Sequence, residues 1–304
     1  MGDTTVVCTS AVGPSCNFKV TVNDTQNPTI SAPANASYQC PSQVPPASPL
    51  QATASDNCGT ATVTVSESTN GGAGTTSSPL IITRTYTATD GAGRTASASQ
   101  TITVIDNTPP TITCPANIVV SNDANQCSAT VNPGTATAAD NCGVSSIVGT
   151  RSDNKPLNAP YPIGITTITW TAKDAAGQTA SCQQTVTVKD TQKPTVMFTV
   201  TRQHGEHGED DDDENMSRIT FSATDNCIGV TISAVINIGC KRVPISNGQL
   251  VSVECGDDEC KAKFDKKGRL KIEARTAVLE VTATDSAGNK TTKTQSLCRH
   301  GHDD

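Results

Sequence analysis

The chain has 304 residues and a formal net charge of −7. That is length enough for two or three domains, and the wrong sign of charge for a phosphate-backbone partner, so nucleic acid is excluded as the main ligand. Aromatic residues make up 3% of the chain, with a single Trp, so its cores must be small, built from Val, Ile, Ala and Thr, and in need of staples. Thirteen cysteines are available for stapling, and no two stand in a Cys-x-x-Cys pair. Scattered singly through strand-like sequence, they read as disulfides rather than zinc ligands. Disulfides imply an oxidising compartment, so the chain is expected to be secreted or held at a cell surface. No signal peptide is visible, and no apolar run is long enough to insert in a membrane.

In chain order, residues 1–23 come first. "GDTTVVCTSAVGPSCNFKVTVND" (2–24) lines up with "GITTITWTAKDAAGQTASCQQTVTVKD" (164–190) and is four residues shorter at the turn. It is expected to be the last hairpin of an otherwise absent unit. It reads either as a processing or truncation boundary or as an element that docks on another chain by strand addition. Cys8 and Cys16 face one another in this alignment and are expected to bridge the hairpin.

Three sets of landmarks then recur. Proline-bearing linkers place Asp24, Asp106 and Asp190; "SDNCG", "ADNCG" and "TDNCIG" place Asp56, Asp140 and Asp225; "TATDGAG", "TAKDAAG" and "TATDSAG" place Asp90, Asp174 and Asp285. The unit is about 84 residues, with a late expansion in the third copy. The expected organisation is a partial repeat at 1–23, full repeats at 24–105 and 106–189, and a divergent repeat at 190–304. Within each unit, runs such as "TTITWTAKD" alternate apolar and polar residues, rich in β-branched types. Short strands with Gly-bearing turns between them predict tandem two-sheet antiparallel β-sandwiches in a rod. Trp170 falls on such a strand and is expected in a core. "KAKFDKKGRLKIEAR" (261–275) predicts a hairpin turning at "DKKG", with Phe264, Leu270, Ile272 and Ala274 in alternation.

"DNTPPTITCP" (106–115), "ADNCG" (139–143) and "YPIGITTITWTAKDAAGQTASCQQTVTV" (161–188) resemble the hyalin repeat (HYR) family of immunoglobulin-like extracellular modules. The resemblance covers 24–190 well. It covers 191–298 more loosely, because the opening Cys-Pro is missing there and an insertion is present. It implies a non-enzymatic extracellular spacer or adhesion protein whose partners are other protein chains. The alternative is a subunit of a self-assembling surface filament joined through the N-terminal hairpin.

Counting cysteines within each unit predicts Cys40–Cys58, Cys114–Cys142, Cys127–Cys182, Cys227–Cys240 and Cys255–Cys260, with Cys298 left over for a bond between chains. Strand alternation brings the linker, the Asp-Asn-Cys loop and the last hairpin turn to one end of each sandwich. Asp24, Asp56 and Asp90 are thus expected to converge, as are Asp106, Asp140 and Asp174, and Asp190, Asp225 and Asp285. Three carboxylates at such a point suit Ca²⁺, which takes six to eight oxygens. The competing reading is that each Asp serves its own turn. All four His stand in "QHGEHGEDDDDEN" (203–215) and "CRHGHDD" (298–304). His204, His207, His300 and His302 are expected either to meet as a tip site for Zn²⁺ or Cu²⁺ or to lie in solvated acidic tails. A metal-dependent hydrolytic tip is the weaker third reading. No nucleophile motif, phosphate loop or His-Glu-x-x-His is present, so the chain is not expected to be an enzyme. Asn23, Asn35, Asn215 and Asn289 meet the glycosylation pattern.

Overall fold

The computed structural model describes residues 2–202, 216–256 and 260–298. They form β-strands joined by turns, with two short 3-10 turns at Pro41–Gln43 and Pro49–Gln51. They divide into two compact units: Met1–Pro115 with Thr135–Gly149 and Thr169–Gln183, and Ala116–Gly134 with Thr150–Ile168 and Gln184–Asp304.

In the first unit the hairpin Gly2–Cys8 and Cys16–Val22 comes first, antiparallel, with Cys8 opposite Cys16 and every residue exposed. The first full set of landmarks then builds two sheets. One is four-stranded, in the order Ala36–Tyr38, Thr95–Val104, Leu80–Thr89, Thr62–Thr69; the other pairs Thr29–Ser31 with Thr53–Ser55. Period-two alternation sends Ile82, Arg84, Tyr86 and Ala88 inward from Leu80–Thr89, and Gln100, Ile102 and Val104 inward from Thr95–Val104.

The first strand changes sheets. Thr29–Ser31 pairs antiparallel with Thr53–Ser55, whereas Ala36–Tyr38 runs parallel to Ile102–Val104. The switch falls at Pro33-Ala34-Asn35, where proline removes a ladder donor. Side chains fasten the crossing: Gln100 Nε2 donates to Ala34 O (2.8 Å) and Thr101 N to Asn35 Oδ1 (2.8 Å). The second set of landmarks repeats this at Pro115-Ala116-Asn117. There Ile118–Ser121 runs parallel to Val186–Lys189, Gln184 Nε2 donates to Ala116 O (2.8 Å), and Thr185 N donates to Asn117 Oδ1 (2.9 Å).

The second unit also holds the largest core. A five-stranded sheet (Thr195–Arg202, Met216–Thr224, Gln249–Cys255, Leu270–Ala274, Lys261–Phe264) and a four-stranded sheet (Arg242–Ile245, Thr231–Asn237, Val278–Thr284, Lys290–Ser296) enclose Val196, Ile219, Ile236, Leu270, Ile272 and Leu279. The expansion between 237 and 275 therefore builds core: Val243, Val251, Leu270 and Ile272 are all buried. Lys261–Phe264 and Leu270–Ala274 form a hairpin through the turn at Asp265, but Phe264 points out, 60% exposed. Trp170, in the first unit, is buried at 3%.

The disulfides correct every pairing expected from the sequence. The bonds are Cys40–Cys142, Cys114–Cys182, Cys127–Cys227, Cys240–Cys260 and Cys255–Cys298, with Cα separations of 5.2–6.2 Å. Cys40–Cys58, Cys114–Cys142 and Cys127–Cys182 fail for one reason. After its crossing, the first strand ends beside the exit of the last strand, where Ile105 N donates to Tyr38 O (3.0 Å). Cys40 is thereby carried away from its own Asp-Asn-Cys loop and towards the next one. The parallel strand of the second unit places Cys127 equivalently, beside Asn122 N→Lys189 O (2.9 Å). Cys182 is then left to bond Cys114. Cys227–Cys240 fails because Cys227 is taken by Cys127, and Cys255–Cys260 because Gln249–Cys255 runs parallel to Leu270–Ala274 instead of forming a hairpin with Lys261–Phe264. Cys298 is not left over. Cys8 and Cys16 are free and exposed despite facing each other in register, and Cys58 is also free and exposed.

Buried Arg151 shows how a fold with few aromatics fastens a loop. Its guanidinium lies over the Tyr161 ring at 3.8 Å, donates to Pro156 O (3.1 Å), Ala159 O (2.6 Å) and Pro160 O (3.2 Å), and pairs with Asp153 at 2.6 Å. The Arg151 hydrogen bond holds the Asp153 carboxyl below its usual pKa, against the opposing effect of desolvation. A depressed folded pKa gives stability that is present above the unfolded value and lost as pH falls through the folded one. Asp153→Asn is expected to lower the melting temperature by a few degrees at pH 7. The gap to the parent should close at pH values below the ordinary carboxylate range, as read by calorimetric melts across pH.

Candidate metal centre at the aspartate turns

Each landmark aspartate does two things. One oxygen closes its own turn. In the linkers, Asp24 Oδ1 accepts from Gln26 N (3.1 Å), Asp106 Oδ1 from Thr108 N (3.2 Å) and Asp190 Oδ1 from Gln192 N (3.1 Å). In the Asp-Asn-Cys loops, Asp56 accepts from Cys58 N (2.8 Å), Asp140 from Cys142 N (2.8 Å) and Asp225 from Cys227 N (2.9 Å). In the hairpin turns, Asp90, Asp174 and Asp285 accept from Arg94 N, Gln178 N and Asn289 N at 2.8–2.9 Å. The side chains of those last three residues reach back to the linker carbonyls of Asp24, Asp106 and Asp190 at 3.2–3.3 Å. Each hairpin turn is thus tied to the linker that opens its own repeat.

The other oxygen is left over. Asp24 Oδ2, Asp56 Oδ1, Asp90 Oδ2, Asp106 Oδ2, Asp140 Oδ2, Asp174 Oδ2, Asp190 Oδ2 and Asp225 Oδ2 are buried without a hydrogen-bond partner. Only Asp285 fills its second oxygen, from Asn289 Nδ2 at 2.9 Å. The turn-closing role is real, but in the other eight it accounts for half of the carboxylate. Buried carboxylate oxygens with nothing to hold are costly unless a cation or donor meets them.

The aspartates converge in part as expected. Asp24, Asp56 and Asp90 each place an oxygen within 4.8 Å of the others. At the next two landmarks the groups meeting that distance are Asp106, Asp140 and Cys142, and Asp190, Asp225 and Cys227. Asp174 and Asp285 do not join them, and the two sulfurs are already committed to disulfides. The first group has the strongest set of hard oxygen donors for Ca²⁺, with waters or carbonyls completing the shell. Arg94, beside it, is the one cation that the three equivalent reach-back positions supply; Gln178 and Asn289 are neutral. His204, His207, His300, His302 and Asn215 lie outside the described residues.

Sequence reasoning missed the roles of the residues that fasten the crossing, Asn35 and Asn117 with Gln100 and Gln184, and of the reach-back side chains that hold the turns, Arg94, Gln178 and Asn289. A signal was present in the repetition of Pro-Ala-Asn at 33–35 and 115–117.

Comparison with known proteins gives a match of residues 105–188 to the HYR domain. Hyalin from Strongylocentrotus purpuratus is 33% identical over 221 residues, covering 66% of this chain and 18% of that protein. Hyalin from Lytechinus variegatus is 31% identical over 207 residues, covering 63% of this chain and 38% of that protein. The chain therefore spans well under half the length of either relative. Among solved structures, protocadherin gamma B2 extracellular cadherin domains 1–5 align at a TM-score of 0.34 and 12% identity, over 96% of this chain and 63% of that one. Mouse cadherin-23 EC22-24 aligns at 0.31 and 14%, over 89% and 97%. With five disulfides formed and residues 105–188 matching the HYR domain, the protein is extracellular, secreted or surface-held.

Free Cys58 sits against the first aspartate group. Desolvation, then the charges of Asp24 and Asp56, raise its thiol pKa. Since the thiolate is the nucleophile, iodoacetamide is expected to alkylate Cys58 more slowly at pH 8 than it alkylates free cysteine, once a mild reductant has released any bond that Cys58 makes outside this chain. The gap should narrow as pH rises, followed by mass spectrometry of the Cys58 peptide. Equal rates at pH 8 would contradict this electrostatic picture.

Proposed function

From a chain that carries a HYR domain at residues 105–188, we propose a non-enzymatic extracellular structural or adhesion protein made of tandem HYR-type repeats, in which Ca²⁺ at the aspartate turns stiffens the string of modules. The observation that carries this reading is that Asp24, Asp56 and Asp90 each bring an oxygen within 4.8 Å of the others while each keeps one buried oxygen unpartnered. An ion there would balance mutual repulsion and fix the linker, the Asp-Asn-Cys loop and the hairpin turn against one another. The prolines beside Asp24, Asp106 and Asp190 hold the linkers extended. Two disulfides of this chain add covalent support by joining one set of landmarks to the next, with sequence separations of 102 and 100 residues. Loops of that size are worth roughly 4–5 kcal/mol each in the chain-entropy model. The partners of such a spacer are other protein chains.

A second reading is a subunit of a self-assembling surface filament. It is favoured by the N-terminal hairpin, whose Phe18 and Val22 stand 51% and 60% exposed on strands with no buried residue. A lone hairpin is marginal in water, so its apolar face calls for a cover. Negative-stain electron microscopy of the natively purified protein in Ca²⁺ separates the readings. Isolated short particles are expected for the spacer. Long filaments of repeating beads would overturn it in favour of assembly.

A further inference from the structure

The chain holds three Asp-Asn-Cys loops with one local geometry and two different fates. In each, the cysteine N–H donates to the aspartate at 2.8–2.9 Å and the asparagine Nδ2 lies 3.2–3.3 Å from the cysteine sulfur. Two of the loops are docked. Cys142 is bonded to Cys40, and Asn141 Nδ2 donates to Gln39 Oε1 (2.7 Å) while Asn141 O lies 3.3 Å from Cys40 Sγ. Cys227 is bonded to Cys127, and Asn226 Nδ2 donates to Gln126 O (2.8 Å) while Asn226 O lies 2.9 Å from Cys127 Sγ. In both cases the docking group is a Gln-Cys dipeptide that an earlier repeat presents beside the exit of its last strand. The sequence contains two Gln-Cys pairs, and both are used.

The remaining loop is Asp56-Asn57-Cys58. Cys58 is free and exposed, and the Asn57 amide makes no bond outside its own loop among the described residues. A separate observation points the same way. In the two docked cases, the Gln-Cys belongs to the repeat whose last hairpin runs straight into the linker ahead of the receiving loop. The hairpin that runs into the linker ahead of Cys58 is Gly2–Val22, and it is exposed along both strands.

We propose that Cys58 is the receiving end of a third disulfide of this type, made to the Gln-Cys of a further HYR-type sandwich that the hairpin Gly2–Val22 completes. This rests on the tandem-repeat reading above and names the partner of its N-terminal end. The bond forms by oxidation. The Cys58 thiol and the partner thiol each give up a proton, and their two electrons reduce a disulfide oxidant of the secretory compartment to two thiols. Cys8 and Cys16 are not the partner. They face each other on the hairpin, and neither follows a glutamine.

The test is disulfide mapping of the protein isolated in its native form, with free thiols alkylated before denaturation. The expected result is a Cys58 peptide cross-linked to a cysteine that follows glutamine and lies outside residues 1–304. An unchanged chain mass on reduction would place that partner in the same polypeptide; a fall in mass would place it in another chain. Cys58→Ser is expected to abolish the cross-link while Cys40–Cys142 and Cys127–Cys227 stay intact, which separates loss of the bond from loss of folding. Recovery of Cys58 as alkylated thiol, as a glutathione adduct, bonded to Cys8 or Cys16, or bonded to a second Cys58 would overturn the proposal. Isolated calcium-bound particles seen alongside a free Cys58 would leave the spacer reading standing and remove this one alone.

Discussion

The constraint on which the rest of this structure depends is the double use of the turn aspartate. In the first repeat each carboxylate closes a turn by accepting from a backbone N–H two or four residues on and buries its second oxygen without a hydrogen-bond partner, and one oxygen of each lies within 4.8 Å of the others. Each last hairpin is held to its linker by a donor, the side chain of Arg94, Gln178 or Asn289 on the linker carbonyl. With aromatics at 3% of the chain, hydrophobic burial alone is a weak clamp for modules of this size. Polar closure takes over much of that work: the crossing is held by Gln100 and Asn35, the 152–160 loop by Arg151, and the linkers by Arg94, Gln178 and Asn289.

The crossing of the first strand decides the covalent structure. Had the strand stayed in one sheet, Cys40 would have remained near its own Asp-Asn-Cys loop, and each module would have been closed on itself. By switching sheets at Pro-Ala-Asn and running parallel to the last strand, it delivers Gln39-Cys40 to the exit of the module. The same backbone step that breaks the antiparallel rule thus turns intramodular staples into links along the chain. The third set of landmarks has no Gln-Cys. It has instead a core enlarged by four strands of the expansion, together with its own bonds Cys240–Cys260 and Cys255–Cys298.

Much of the fold was legible in the sequence because its signals are local. Period two in "LIITRTYTAT", the Gly-bearing turns after Asp90, Asp174 and Asp285, and the spacing of the Asp-Asn-Cys loops all report backbone geometry within a few residues. The aspartates of the candidate site could be named for the same reason. What could not be read is what depends on where a strand goes after it pairs. Cysteine counting within a repeat assumes that each module keeps its own cysteines, and a sheet switch three residues long overturns that assumption. Asp285 lies outside the close groups for a comparable reason: its side-chain bond from Asn289 Nδ2 is set by packing at the turn, and the landmark spacing carries no trace of it.

The central claim is that the unpartnered carboxylates at Asp24, Asp56 and Asp90 await a hard cation. The most direct test is differential scanning calorimetry of the intact chain in millimolar Ca²⁺ and in EDTA, with Mg²⁺ as the control for non-specific charge screening. A rise in melting temperature with Ca²⁺ that EDTA reverses and Mg²⁺ does not reproduce is the expected result. Coincident melts in all three conditions would mean that these aspartates serve their turns alone, and would contradict the claim.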